Sequence, residues 1–573
     1  MLTAQEPSAK YLVQLQPPLV RHFDLVAQAP GGVARLRELI LMLAVQGKLV
    51  PQDPSDEPAS EFLKKIRAEK DRLIEEGKIK RDKLLAEITD EEEPFDLPEG
   101  WAWARLGNLC SYIQRGKGPV YAEHSAHRVI SQKCIRWYGL DLGPARFITP
   151  ESLTKYEDIR YLRSGDLLWN STGTGTIGRA CLVPQDLDDA GLVADSHVTV
   201  VRPVSLDSVY LWRWIQSPYV QNEIEGSASG TTNQIELNTS TVINQVIPVP
   251  PLAEQSRIVT RVEELMQLCD ALEASGQRQA QQHAQLVNTL LGTLTQSETP
   301  EALANNWQRI ATHFDVLLDR PEAVDALEQT ILQLAVRGLL VPQDPTYEPA
   351  SVLLQKIRTE KDHLITQGKI KRDKPLPPIT DEEKPFELPQ GWEWVRFGQI
   401  ANIASNLVPP SLHPKKWQVA PDCIEKATGR LLHKRTVAQA EIVSPNHLFK
   451  PGQLLYSKIR PSLSKAVLVD FEGLCSADMY PIESQLDMEF LLLYILSEPF
   501  LEQVSIAENR VKMPKLNQEA LVAFMVAVPP LVAQAKIVKR VSELRSLCTD
   551  LRERITAGQA AQAHLADALL TSK

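Results

Sequence analysis

The chain is 573 residues long, 43% hydrophobic and 23% charged; at roughly 150 residues per domain it should hold about three or four, and wholesale disorder or a fibrous class is excluded. A formal net charge of −10 argues against indiscriminate coating of nucleic acid, while leaving room for local basic patches or a basic partner. No apolar run approaches the roughly 18 residues of a membrane span, no secretory leader is visible, and seven scattered cysteines read as reduced cytoplasmic thiols rather than a disulfide or zinc framework.

In chain order, residues 1–96 read as a helical segment with helices over about 33–47 and 58–76. The second helix ends at Gly77, which suits a C-terminal position needing φ > 0. GKIKRDK and the acidic TDEE follow; a solvated linker and a phosphate or partner contact both fit them. Residues 97–250 hold a middle domain in which short alternating runs such as HVTVVRP, with frequent Gly, Pro and Asn, predict a small β-rich α+β fold. A long helix occupies 251–295. The pattern then repeats: a second helical segment (296–387, helices about 324–338 and 349–367, closed by Gly368), a second middle domain (388–530) and a closing helix (531–573).

The repeat is a duplication. The stretch from Ile40 returns from Ile331 at a constant offset, with about 47 identities in about 70 positions. His22-Phe23-Asp24 and His313-Phe314-Asp315 extend it upstream, and VPPLAEQSRIV from Val249 matches VPPLVAQAKIV from Val528. The middle domains share only anchors, Gly165–Trp169 with Gly452–Tyr456 and Ala180–Val183 with Ala466–Val469. A constant frame around divergent inserts suggests one job done twice on two different things.

The closing helices step by four and three through Ile258, Val262, Leu265, Cys269 and Leu272, and through Ile537, Val541, Leu544, Cys548 and Leu551, with soft polar layers in mid-helix at Gly276, Gln279 and His283 in the first and Gly558 and Gln562 in the second. That is a 3.5-residue seam on helices of about 35 residues, or about 50 Å. Two readings fit. Each helix packs on its own domain, or the two pair antiparallel and hold the middle domains a fixed distance apart, which the matching Cys and Gly/Gln layers favour.

Catalytic signatures are missing. Gly173-Thr174-Gly175-Thr176-Ile177-Gly178 spells GxGxxG, but no amphipathic helix follows and the second copy has Arg460-Pro461-Ser462-Leu463-Ser464 there. There is no phosphate-binding GxxxxGK[ST] loop, no NPPY-like methyltransferase motif and no histidine grouping, so neither a metal site nor covalent chemistry is expected. Pro421-Asp422 with Glu425 and Lys426 mimics fragments of a nuclease site, at a spacing too short to be one.

Local charge departs from the global figure. From Lys415 to Lys465 ten Lys/Arg face three acids, and from Arg105 to Arg136 six face Glu123 alone, with Trp137 and Tyr138 adjacent. Such stretches suit phosphate tracking, although a solvated basic face is the plainer reading of either. Small polar and basic side chains on loops can enter a groove and read base edges. In the first half the candidates are Arg115, Lys117, Ser171, Thr172, Thr174, Ser229, Thr231, Thr232, Asn233 and Gln234. In the second they are Lys458, Arg460, Ser462, Lys465, Arg510, Lys512 and Lys515. A plain turn or surface role remains open for each.

LPEGWAWARLG (97–107) and LPQGWEWVRFG (388–398), with IPVPPLAEQSRIV (247–259) and VAVPPLVAQAKIV (526–538), resemble the frame of specificity (S) subunits of type I restriction–modification enzymes, and LAVQGKLVPQDPSDEPAS with its second copy resembles a longer subgroup of them. The resemblance implies an α+β, pseudo-two-fold fold: two small β-rich target recognition domains separated by a pair of long antiparallel coiled-coil helices. It implies a non-catalytic subunit that reads an asymmetric bipartite double-stranded DNA site. Its partners would be two methyltransferase (M) subunits and, through them, restriction (R) subunits, with S-adenosylmethionine, ATP and Mg on those partners and no cofactor in this chain. No membrane association is implied. One departure is Ala533, where the first copy has Glu254; a weakened helix-start contact is expected there. The competing reading is a symmetric coiled-coil adaptor that joins two proteins and reads no DNA.

Overall fold

Apolar residues at helical spacing produce, in the two copies, helices Gly32–Val45 and Ala59–Glu75, then Pro321–Val336 and Ala350–Thr366. Gly77 and Gly368 follow the second helix of each pair at φ +71° and +69°, the left-handed position where a Cβ is strained. The computed structural model describes residues 25–571 apart from 82, 174, 188–190, 229–235, 298, 369–374 and 508–513. His22-Phe23-Asp24 and most of the second GKIKRDK run lie outside the described residues.

The chain forms two units, Met1–Arg278 with Gln559–Lys573, and Gln279–Gly558. The division between the units falls inside both long helices, because the two ends of each helix belong to different cores.

Within each unit the middle domain is closed at its base by a strand pair of identical register. Ala102–Arg105 runs antiparallel to Val246–Val249 with Trp103 opposite Pro248, and Glu393–Arg396 runs antiparallel to Met525–Val528 with Trp394 opposite Ala527. A lysine from the second short helix ties this base down: Lys70 Nζ donates to the Gly107 carbonyl at 2.7 Å, and Lys361 Nζ to that of Gly398 at 2.8 Å. Above it stands a four-stranded sheet in the same order in both units. The first is Cys110–Arg115, Val198–Pro203, Leu167–Asn170, Ala180–Leu182; the second is Ala401–Ile403, Met479–Ser484, Leu454–Ser457, Ala466–Leu468. Trp169, Leu167 and Val201 fill the core beneath the first sheet, and Tyr456, Leu454 and Phe490 that beneath the second. A further sheet diverges with the sequence, having three strands in the first unit and five in the second. The architecture is the α+β class expected.

The long helices are Leu252–Thr295, of 44 residues, and Leu531–Thr571, of 41, longer than the seam alone suggested because each begins before its first seam residue, Ile258 or Ile537, and the central helix runs on through buried Leu291 and Leu294. In the first unit Ile258, Val262, Leu265 and Cys269 are buried with Leu36 and Ile40 and with Ala566 from the end of the C-terminal helix, while Leu272 is half-buried. In the second, Ile537, Val541 and Cys548 are buried with Leu327 and Ile331 and with Val287, Leu291 and Leu294 from the end of the central helix; Leu544 and Leu551 pack at the margin. The start of each helix thus packs with the end of the other, an antiparallel arrangement. Both sequence readings hold in part, since most of the seam serves each unit's own short helix. Gly276 and Gln279 are exposed, and His283 meets the Val316 carbonyl at 3.1 Å.

The Glu254/Ala533 difference has a local remedy. Glu254 is buried and accepts from Trp101 Nε1 at 3.0 Å and Gln52 Nε2 at 2.8 Å, and burial pushes its carboxyl above the usual range. With Ala533 in its place, Gln343 accepts from Trp392 Nε1 directly at 2.9 Å while its amide donates to Gly338. The indole keeps a partner in both copies.

Candidate nucleic-acid interface

In each unit the middle strand of the four-stranded sheet, Leu167–Asn170 or Leu454–Ser457, turns through a loop into the edge strand, Ala180–Leu182 or Ala466–Leu468. The two loops solve one geometric problem with different residues. The first has positive φ at Gly173 (+105°) and Gly178 (+84°); the second has Arg460 (+45°) and Ser464 (+46°) flanking a turn over Pro461–Leu463. Side chains held in the left-handed region cost of order 1–3 kcal/mol each, and such strain persists where surrounding structure imposes it.

The imposing contact is the same in both units. Leu237 N–H donates to the Ser171 carbonyl at 2.8 Å and Thr172 bridges Glu236; Leu516 N–H donates to the Lys458 carbonyl at 2.8 Å, Ile459 bridges Lys515, and Arg460 N–H donates to the Pro514 carbonyl at 2.9 Å. Each loop is therefore clamped to the chain emerging from the second polar segment chosen from sequence, 229–234 or 510–515. Two stretches far apart in sequence converge in each unit. Thr174, Ser229, Thr231, Thr232, Asn233, Gln234, Arg510 and Lys512 lie outside the described residues.

The remaining candidates divide. Ser171 is corrected: its side chain is wholly buried, with its hydroxyl 2.5 Å from that of Thr199, so it supports the loop and cannot touch a base. Lys465 donates to the Pro421 carbonyl at 2.6 Å and Arg115 to that of Leu237 at 2.7 Å, the latter 3.6 Å from Glu236; both brace the loops. Lys117 caps the Lys155 carbonyl at 2.5 Å. Thr172 shares a 2.7 Å hydrogen bond with His197 Nδ1. Arg460 and Ser462 are exposed at the loop tip, and among the described residues the Arg460 guanidinium has no partner. Lys458 lies over the Tyr480 ring, its Nζ 5.5 Å from the centroid, and Lys515 pairs with Asp478 at 3.2 Å.

The basic stretches lose members to structure. Arg105, 5% exposed, is held by Glu92 at 2.9 Å and by the carbonyls of Ala86, Glu87 and Asn244; Arg396 repeats this with Glu383. The hydrogen bonds from Arg105 and Thr89 pull the Glu92 carboxyl down to about 2. Lys416 pairs with Glu472, and Arg435 with Asp422. Left at the surface are Arg128, Lys133, Trp137 and Tyr138 in the first unit and Lys415, Lys426, Arg430, Lys434, Lys450 and Arg460 in the second, cations and rings suited to phosphates and stacked bases. Sequence reasoning passed over His197, because histidines were weighed only as metal ligands. Among the described residues Asp422, Cys423 and His433 bring three donor atoms together, but Asp422 is already engaged by Arg435.

A duplicated frame, each copy bracing a different polar or basic loop tip, defines a two-headed nucleic-acid-binding protein. The profile of the type I restriction modification DNA specificity domain matches residues 98–281 and 389–558. The EcoEI specificity subunit of Escherichia coli is 36% identical over 94% of this chain and 93% of its own length, and the EcoAI specificity subunit of the same organism is 36% identical with the same coverage. A solved chain of a type I R-M system aligns over 83% of this chain and 98% of its own at 19% identity and a TM-score of 0.46. The chain belongs to the family of type I restriction–modification specificity subunits, whose part in the enzyme is DNA target recognition.

Proposed function

We propose that the chain reads an asymmetric, bipartite duplex target, with one half-site per middle domain. Two methyltransferase subunits dock on the repeated frame, and restriction subunits join through them. S-adenosylmethionine, ATP and Mg²⁺ are held by those partners, which flip and methylate an adenine in each half-site in the cytoplasm. A pseudo-two-fold chain meets duplex DNA as a symmetric dimer would.

One observation carries this reading. The two frames repeat strand for strand and clamp for clamp, yet the loops they hold are Gly-Thr-Gly-Thr in one unit and Arg-Pro-Ser-Leu-Ser in the other. A symmetric adaptor would have no use for that divergence. The test is co-expression with the cognate M subunits and mapping of methylated adenines. A split, non-palindromic motif is expected; methylation at no split motif overturns the reading.

A further inference from the structure

Duplication creates a recognition problem inside the molecule. The short helix Gly32–Val45 shares a buried core with the start of the central helix, contributing Leu36, Ile40, Leu41 and Ala44, and Pro321–Val336 shares one with the start of the C-terminal helix, contributing Leu327, Ile331, Leu332 and Ala335, the same residues in the same order. The surfaces that receive them are also alike: Ile258, Val262, Leu265 and Cys269 against Ile537, Val541, Leu544 and Cys548. Apolar burial is non-directional, so these faces cannot tell the right pairing from the crossed one.

Charge can. In the first unit Arg37, on the short helix, reaches Asp270 at 2.5 Å and Glu273 at 2.9 Å on the central helix. At the corresponding places in the second unit the signs are exchanged: Glu328 stands on the short helix and meets Arg552 at 3.0 Å and Arg545 at 3.0 Å, and Asp325 adds a 2.7 Å contact to Arg552. Arg37 and Glu328 occupy one repeat position, Glu273 and Arg552 another. Crossed pairing would set Arg37 against Arg545 and Arg552, and Glu328 against Asp270 and Glu273. Glu328 and Arg545 are each only 18% exposed in their side chains, so water would screen that repulsion poorly.

We infer that this exchanged ion pair is a pairing code, by which each short helix rejects the other's otherwise equivalent long-helix face, within one chain or between two copies. The attraction in each native pair is modest at such a surface; discrimination comes from like charges opposed in the wrong pairing.

The test places a photo-crosslinking side chain at Ala34, the repeat position of Asp325, in the full-length chain. After refolding from urea, adducts are mapped by mass spectrometry to 252–278 or to 531–558. The wild type is expected to label 252–278. Rewriting the first unit in the second's polarity (Arg37→Glu, Asp270→Thr, Glu273→Arg) keeps a matched pair but erases the difference, and adducts to 531–558 should rise about tenfold or more. Arg37→Gln with Glu328→Gln, a milder change that removes the opposed charges, should raise them in the same direction and decides the matter if the triple variant does not refold. Wild-type adduct patterns in the variants that refold overturn the inference.

Discussion

Replacing Arg460 by glycine separates stability from binding, because the structure assigns the two opposite signs. Arg460 sits at φ +45° where the first unit has Gly173. Relief of left-handed strain is worth about 1–3 kcal/mol, against which glycine's greater unfolded-state freedom costs about 0.4–1 kcal/mol. The backbone N–H bond to Pro514 survives the change. The net expectation is about 1 kcal/mol of added stability, or about 2 °C in the melting temperature of a unit of this size. The guanidinium is exposed and has no partner among the described residues, so removing it should weaken binding to the cognate site by about 1–3 kcal/mol, roughly 5- to 150-fold. Arg460→Ala should show the same binding loss without the stability gain, since alanine stays strained. Calorimetry gives one quantity and fluorescence anisotropy at fixed salt, on the complex with its methyltransferase subunits, gives the other. A glycine variant that is less stable refutes the strain account; one that binds its site as tightly as wild type removes Arg460 from the interface.

Gln343→Ala strands the Trp392 N–H, buried at 5% exposure with Gln343 as its acceptor, and should cost about 1–3 kcal/mol; Gln52→Ala should cost less, because Glu254 still accepts from Trp101, and equal losses in calorimetry would contradict this. The Glu92 carboxyl is held near 2 in the folded chain against an ordinary 4.5, so its contribution is present above pH 4.5 and fades as pH falls toward 2; Glu92→Gln should flatten the stability profile across that window, and an unchanged profile would show the Arg105 contact to be inert. Exchanging residues 101–250 for the middle domain of a relative should alter one half of the methylated motif and leave the other untouched, while a change in both halves would count against separate readers. A seven-residue insertion in both long helices should widen the gap in that motif, and an unchanged gap would show that the helices set no spacing.

The helices, their glycine ends and the duplication were legible because each rests on local signals: apolar periodicity, a φ only glycine adopts cheaply, and identity at a fixed offset. The convergence of Ser171 and Thr172 with Glu236 and Leu237 was not, since pairing between stretches so far apart leaves no local trace. Ser171 looked available because serine is polar; it extends a strand, Leu167–Asn170, buried on both faces. Arg105 looked like phosphate-tracking charge because its partner Glu92 lies thirteen residues upstream in an acidic run that reads as solvated. Arg460 hid its strain for the opposite reason: the sequence signal for a positive φ is glycine, and the second loop has Arg460-Pro461-Ser462-Leu463-Ser464 there.

The strand pair at the base of each middle domain carries a last implication. Ala102–Arg105 and Val246–Val249 bring the two ends of that domain side by side in fixed register, so whatever chain is spliced between them begins and finishes at the same two points. Gene segments exchanged at both borders must keep that seal of four residues a side and the few contacts by which the domain leans on the frame, such as Tyr210 buried with Leu36 and Ile258 and the Asp207 N–H bond to Gln255; a lineage that keeps these acquires an unfamiliar address on the chromosome in one replacement.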